Sequence, residues 1–205
     1  MSRRITILAA LALLVSFGQA YPVEEPAGLN DQGFITTWLL LAPIPMEKGQ
    51  SGAEALAKQQ LKDEAKLQPK AGDKLKVGGK ELVWKKYQAK EYYFDFNDFL
   101  GKQTEDSVGY AVCYIHAAKE MKDIKLKTGS DDQAKIYLNG KEVFKHEEDR
   151  PLEADEDTTE VTLRKGVNVL VFKVVNEKED WSGCARFMDQ DDKVIKSLKV
   201  TATPK

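Results

Sequence analysis

From Gly72 onward the sequence is written in short runs that alternate apolar and polar residues, cut at close intervals by glycine, asparagine and aspartate. Ala134, Ile136 and Leu138 alternate with Lys135 and Tyr137, and Tyr92, Phe94 and Phe96 alternate with Tyr93, Asp95 and Asn97. A period of two sends one set to each side of a strand, so every such run calls for a sheet with a dry face. Gly78-Gly79 separates runs 75–77 and 81–87, and Asn139-Gly140 separates 134–138 from 141–145. Both dipeptides reach the positive φ that two-residue hairpin turns require. Lys165-Gly166 joins 161–163 to 168–175, and further runs lie at 107–116, 124–127, 183–189 and 196–200. The pattern predicts an all-β fold, an antiparallel β-sandwich of about ten or eleven strands.

Upstream of Gly72, residues 36–42 form a dense apolar run closed by Pro43 and Pro45, which suits a buried strand. Ser51 and Glu54 then have the spacing of a capping box, and Ala53, Leu56, Ala57 and Leu61 follow at helical spacing until Pro69. One helical insertion is therefore expected near residues 52–67, with its charged side in water. Residues 147–160 hold eight acids against the single Arg150 and read as a surface loop.

The first twenty residues stand apart. Arg3 and Arg4 precede an apolar run from Ile5 to Phe17, and Gly18 and Ala20 sit three and one places before Tyr21. This is the pattern of a cleaved secretory leader at 1–20, and it predicts a secreted or periplasmic protein. Residues 21–33, with two Pro and two Gly, read as an extended N-terminal arm, and 34–205 as a single sandwich domain. No segment approaches the roughly twenty apolar residues of a membrane helix. A formal net charge of −2 leaves no basic excess for a phosphate backbone, so nucleic acid is not an expected partner. Two Cys and two His are too few for a closed zinc site without carboxylates. In an oxidising compartment Cys113 and Cys184 could pair as a disulfide, and two separate buried thiols are the alternative.

Several motifs resemble a known module. Gly129-Ser130-Asp131-Asp132, residues 135–143 through Asn139-Gly140, residues 163–168, Trp181 and Arg186-Phe187 resemble a secreted, galactose-binding-domain-like jelly roll. That module is found in planctomycete-type bacteria and appended to polysaccharide-degrading enzymes. Trp38, Leu39, Leu41, Pro43 and Pro45 match the run with which such modules open. The Ser-Asp-Asp element also resembles the sugar-binding module named after anthrax protective antigen, in which paired Asp residues can hold a calcium ion that contacts sugar hydroxyls. Carried onto this sequence, the resemblance implies a jelly roll with Asp131 and Asp132 as metal ligands.

The residues themselves leave two readings of each element. Asp131 and Asp132, joined by loop acids such as Asp155 and Asp157, have the oxygen donors that calcium takes, yet adjacent acids also simply open turns. Asp189, Asp191 and Asp192 fit a turn in the same way. Sugar sites combine an aromatic plate with fixed hydrogen-bonding groups. Trp181, following the polar stretch 176–180, is the plate candidate, with Asn176, Asp180 and Arg186 as its polar partners; its alternative role is to plug the sandwich. Trp38 and Trp84 sit inside strand-like runs and are expected in the core. No Gly-x-Ser-x-Gly elbow accompanies His116 or His146, and no phosphate-cradling glycine loop is present, so no catalytic residues are expected and the chain is not read as an enzyme. Function is expected to be either a non-catalytic carbohydrate-binding module, with calcium assistance, or a structural scaffold that binds a protein partner in the envelope or extracellular space.

Overall fold

The computed structural model describes residues 28–204. The leader at 1–20 and most of the arm at 21–33 lie outside the described residues. Two antiparallel sheets face each other. The larger runs β4 (Lys85–Gln88), β1 (Thr37–Pro45), β6 (Ser107–Ala117), β11 (Gly166–Asn176), β8 (Ala134–Leu138) and β9 (Lys141–His146), with β13 (Lys199–Thr201) beside the far end of β6. The smaller runs β10 (Asp157–Leu163), β7 (Met121–Asp131), β12 (Ser182–Met188) and β5 (Phe94–Asp95). A separate hairpin joins β2 (Lys74–Val77) to β3 (Lys80–Val83). The chain is an antiparallel all-β sandwich, as its alternation predicts.

Turn chemistry fixes the hairpins. Asn139 and Gly140 take φ of 53° and 83°, and Gly78 and Gly79 take 56° and 77°. Each pair has positive φ at both central residues, so its backbone twist matches that of the flanking strands. The core between the sheets gathers Trp38, Leu40, Phe94, Cys113, Phe172 and Trp181, all fully buried. Trp84, also buried, belongs to a second cluster on the opposite face of the larger sheet, with Leu39, Leu41, Tyr110, Val112 and Tyr114. Both faces of β1, β6 and β11 are thus dry, which is why their sequences run apolar with little alternation.

The segment between β1 and β4 covers that second face. Its capping box forms as expected: Ser51 Oγ accepts from the Glu54 backbone N–H at 3.3 Å, and the Glu54 carboxylate accepts from Ser51 N–H at 2.9 Å. The helix is much shorter than its apolar spacing predicts. Helix α1 is Gly52–Ala57, and after an extended Lys58 only a 3-10 turn, Glu64–Lys66, follows. The reason is tertiary. Lys173, fully buried on β11, donates from Nζ to the carbonyls of Leu56 at 2.9 Å and Lys58 at 2.6 Å, taking the oxygens at the end of α1. Its charge lies 3.3 Å from Glu64, which also accepts from the hydroxyls of Tyr110 and Tyr137. This buried ion pair pulls 58–66 down onto the sheet instead of letting it continue as a helix.

The alternation 92–97 is also shorter as a strand than expected. Asp95 caps a second helix, α2 (Phe96–Leu100), its carboxylate accepting from the Asp98 backbone N–H at 2.9 Å, and Gly101 ends it in the left-handed conformation. Cys113 and Cys184 are free thiols, which corrects the disulfide expectation. Cys113 points into the core from β6 of the larger sheet. Cys184 stands on β12 of the smaller sheet, among the residues that alternate away from core-facing Ala185 and Phe187, and packs under the 147–157 loop near Gly129. Packed sheets lie about 10 Å apart, beyond the Cα separation a disulfide tolerates.

Candidate functional site

At one end of the sandwich, the loop after β9 and the loop between β11 and β12 enclose a cleft of about 520 Å³. Asp131, Asp132 and Asp149 line it on one side and Glu177 to Asp180 on the other, with Arg150 and Pro151 between. The Asp131–Asp132 peptide bond is cis. Strand ends fix this dipeptide on both sides: Asp132 N–H donates to the Val175 carbonyl at 3.2 Å, and Ser130 Oγ donates to the Asp132 carbonyl at 2.9 Å. The Asp132 carboxylate in turn accepts from Glu177 N–H at 2.9 Å. The base of the cleft is therefore built from backbone that belongs to the core.

Its electrostatics are unbalanced toward negative charge. Burial raises the Asp132 carboxyl to about 8, assisted by a hydrogen bond to Asp149 and by the charges of Asp149 and Asp131. Burial, followed by the negative charge of Asp180, raises Asp131 to about 6. The Arg150 guanidinium does not relieve them. Its nitrogens pair with Asp157 at 2.6 Å and Glu156 at 3.1 Å, and with Ser130 Oγ at 2.9 Å. Glu177 is likewise engaged, holding Gln133 Nε2 at 2.8 Å and Gly52 N–H at 3.2 Å.

The structure brings together some of the expected site residues and separates others. Asp131, Asp132 and Asp180 share the cleft. Trp181 is fully buried and stacked on Phe96, with ring centroids 4.4 Å apart at 30°, so it is the plug and not a plate. Gly109 makes room for the pair, since a Cβ there would lie 2.7 Å from Phe96 and 2.8 Å from Trp181. Asn176 is buried at the end of β11 with its amide nitrogen on the Thr104 carbonyl. Arg186 lies over the Phe34 ring at 4.4 Å and forms an ion pair with Asp155, away from the cleft. Asp155 and Asp157 are thus taken by arginines. Asp189 bonds the backbone N–H groups of Asp191 and Lys193, and Asp192 pairs with Lys125 and Lys127. These acids build turns and sheet-surface ion pairs.

Among the described residues, no group of three or more His, Cys, Asp or Glu is set to hold a metal through side chains alone. Calcium takes six to eight oxygens, carbonyls, waters and ligand hydroxyls among them, so a pair of carboxylates would be only part of such a shell. The Asp131–Asp132 pair would supply two carboxyls, both raised first by burial and then by the neighbouring carboxylates Asp180 and Asp149. Two half-exposed tyrosines, Tyr92 and Tyr93, stand in T-shaped contact near the cleft, and the sequence reading did not select them. Their signal was present: Tyr93 falls on the polar side of the 92–97 alternation, where a large ring is displayed. The fold and cleft define a β-sandwich with an acidic site on the loops at one end. No family model, curated protein or solved structure matches the chain.

Proposed function

We propose that this chain is an exported, non-catalytic binding protein for carbohydrate, using a calcium ion held by Asp131 and Asp132. The observation that supports the reading is the adjacent Asp pair in an open cleft lined by six carboxylate residues against Arg150 and Lys178. A divalent cation would offset that excess of carboxylates and offer coordination positions to vicinal sugar hydroxyls. Asp131 and Asp132 would hold it, while the Glu177 N–H fixes one oxygen of Asp132. The resemblance of 129–132 to sugar-binding modules agrees with this chemistry, and the leader pattern at 1–20 agrees with a secreted or periplasmic place of action. A binding role rather than thiol catalysis suits the cysteines, since burial raises both thiols well above their ordinary value.

The test is a glycan array probed with residues 21–205 in calcium and again with chelator, alongside Asp131→Ala and Asp132→Ala. Binding that needs calcium and both carboxylates supports the reading. Binding unaffected by chelation removes calcium from it. Folded protein that binds no glycan in either condition overturns the carbohydrate reading and leaves a scaffold for a protein partner.

A further inference from the structure

Charge is divided unevenly along the chain. Residues 70–86 carry six lysines against Asp73 and Glu81, in a chain whose formal net charge is −2. All six lysines are exposed, and no arginine stands among them. The segment contains the hairpin β2–β3 and then β4, the strand at the edge of the larger sheet. Edge strands use lysine to deter pairing with other chains. At the opposite edge of the same sheet, β9 does so with Lys141 and Lys145 beside Glu142. Residues 70–86 go well beyond that need. Lys90, further on, turns toward Asp98 at 3.8 Å and lies outside the strip.

The hairpin fixes where these lysines stand. Leu75 and Leu82 are paired in register, and with Val77 they pack onto the second apolar cluster. Lys74 and Lys76 alternate with the apolar residues of β2 and therefore point to solvent. At the base of the hairpin, buried Trp84 donates its N–H to the Asp73 carbonyl at 2.9 Å and accepts from Gly72 N–H at 2.8 Å. From Lys80 at the tip to Lys85 the extended backbone spans at most about 17 Å. The two acids neutralise little of the strip. Glu81 stands opposite Lys76 in register, but its carboxylate pairs with Lys74 at 2.9 Å, both side chains at least half exposed. The Asp73 carboxylate accepts from the Lys70 backbone N–H at 2.8 Å. Lys70, Lys76, Lys80 and Lys85 make no ion pair among the described residues, and Lys86 is not counted with them.

We infer that this lysine strip is a docking surface for a linear anionic polysaccharide, whose carboxylates or sulfates follow the strip from hairpin tip to sheet edge. Close-set ammonium groups attract a polyanion through their summed field, without the planar fork by which arginine clamps a phosphate. What accompanies the lysines selects the class of partner. Single-stranded nucleic acid is held by exposed aromatic platforms among the charges. Here Trp84 is buried, and Tyr87 is half-buried with its hydroxyl on Asp98. A membrane surface is gripped by apolar side chains beside the basic ones, and Leu75, Val77 and Leu82 are instead turned onto the protein. An acidic sugar chain needs neither device. The strip shares no residue with the Asp131–Asp132 cleft and uses no calcium, so the two readings stand or fall separately.

The experiment measures binding of the native chain, in chelator and at low and raised salt, to polygalacturonate, dextran sulfate and neutral dextran. Duplex DNA, single-stranded DNA and phosphatidylglycerol vesicles serve as the competing classes. Two triple variants are compared with it: Lys74→Gln, Lys76→Gln, Lys80→Gln in the strip, and Lys119→Gln, Lys165→Gln, Lys196→Gln, which remove the same charge from exposed positions elsewhere. The native chain should bind the carboxylate or the sulfate polymer but not dextran, and raised salt should abolish the binding. The strip variant should bind about tenfold more weakly or worse, and the control within about twofold of native. The tighter of the two polymers names the anion. No binding to either polyanion, or equal binding by the strip variant, would overturn the inference. So would an equal loss in both variants, which would make net charge and not the strip responsible. Tighter binding to DNA or to vesicles than to both polymers would overturn the polysaccharide assignment in favour of that class.

Discussion

Asp132 works against the stability of the chain that carries it. Its folded carboxyl titrates near 8, against an ordinary aspartate near 4, so between those pH values the folded state holds a proton that the unfolded state has released. Stability therefore falls as pH rises through that window. Asp131, raised to about 6, adds to the lower half of it. Asp132→Asn should melt higher than the native chain at pH 8 without calcium, and the difference should shrink toward pH 4. Calcium should raise the melting temperature of the native chain, more at pH 8 than at pH 5, and leave Asp132→Asn unmoved. Parallel melting curves across pH would contradict this account. Lys173 poses the opposite case. Its charge is buried but fully engaged by Glu64 and two carbonyls, although burial still lowers it to about 8. Lys173→Met strands the Glu64 carboxylate and should cost about 3–5 kcal/mol in urea unfolding, while pairing it with Glu64→Gln should recover much of the loss. The turn that Asp131 and Asp132 open between β7 and β8 was legible in the sequence because its motif is local. The place of Trp181 was not. A polar stretch before it suggests exposure, and the groups that bury it, among them Gly109 on β6 and the ring of Phe96, 85 positions away, are distant in the chain.

At the level of elements, what could be read is what short-range chemistry decides. The Asn139-Gly140 and Gly78-Gly79 hairpins and the Ser51–Glu54 capping box all form where the sequence puts them. Extents were less legible. Ala53, Leu56, Ala57 and Leu61 keep helical spacing, but the carbonyls that would have continued the helix are claimed by Lys173, a residue more than a hundred positions later. The 92–97 alternation likewise gives way after Asp95, whose carboxylate accepts from the Asp98 N–H in the first turn of a helix as readily as its backbone extends a strand. The start of α1 depends on its cap, so Ser51→Ala should lower stability by about 1 kcal/mol in chemical denaturation. Because the Gly52 N–H also holds Glu177, that variant should loosen the cleft wall and weaken calcium binding modestly. A stability loss with unchanged calcium affinity would show that α1 and the cleft are independent.

For the whole molecule, the two sheets have different duties. The smaller sheet keeps an outer face with Lys125, Lys127 and Arg186 in ion pairs, and carries the cleft at one end. The central strands of the larger sheet, β1, β6 and β11, are covered on both faces, by the core on one side and residues 46–84 on the other, while β4 and β9 at its edges reach solvent. That second covering has a kinetic meaning. Amide protons of β6 and β11 can meet solvent only when both coverings open, whereas those of β10 at the sheet edge need only local fraying. Deuterium exchange followed by mass spectrometry should find β6 and β11 the last segments to label, at rates set by global unfolding. In Lys173→Met, the 52–66 segment should label early while the two central strands keep a large part of their protection, which would make the insertion a shutter that opens before the sandwich does.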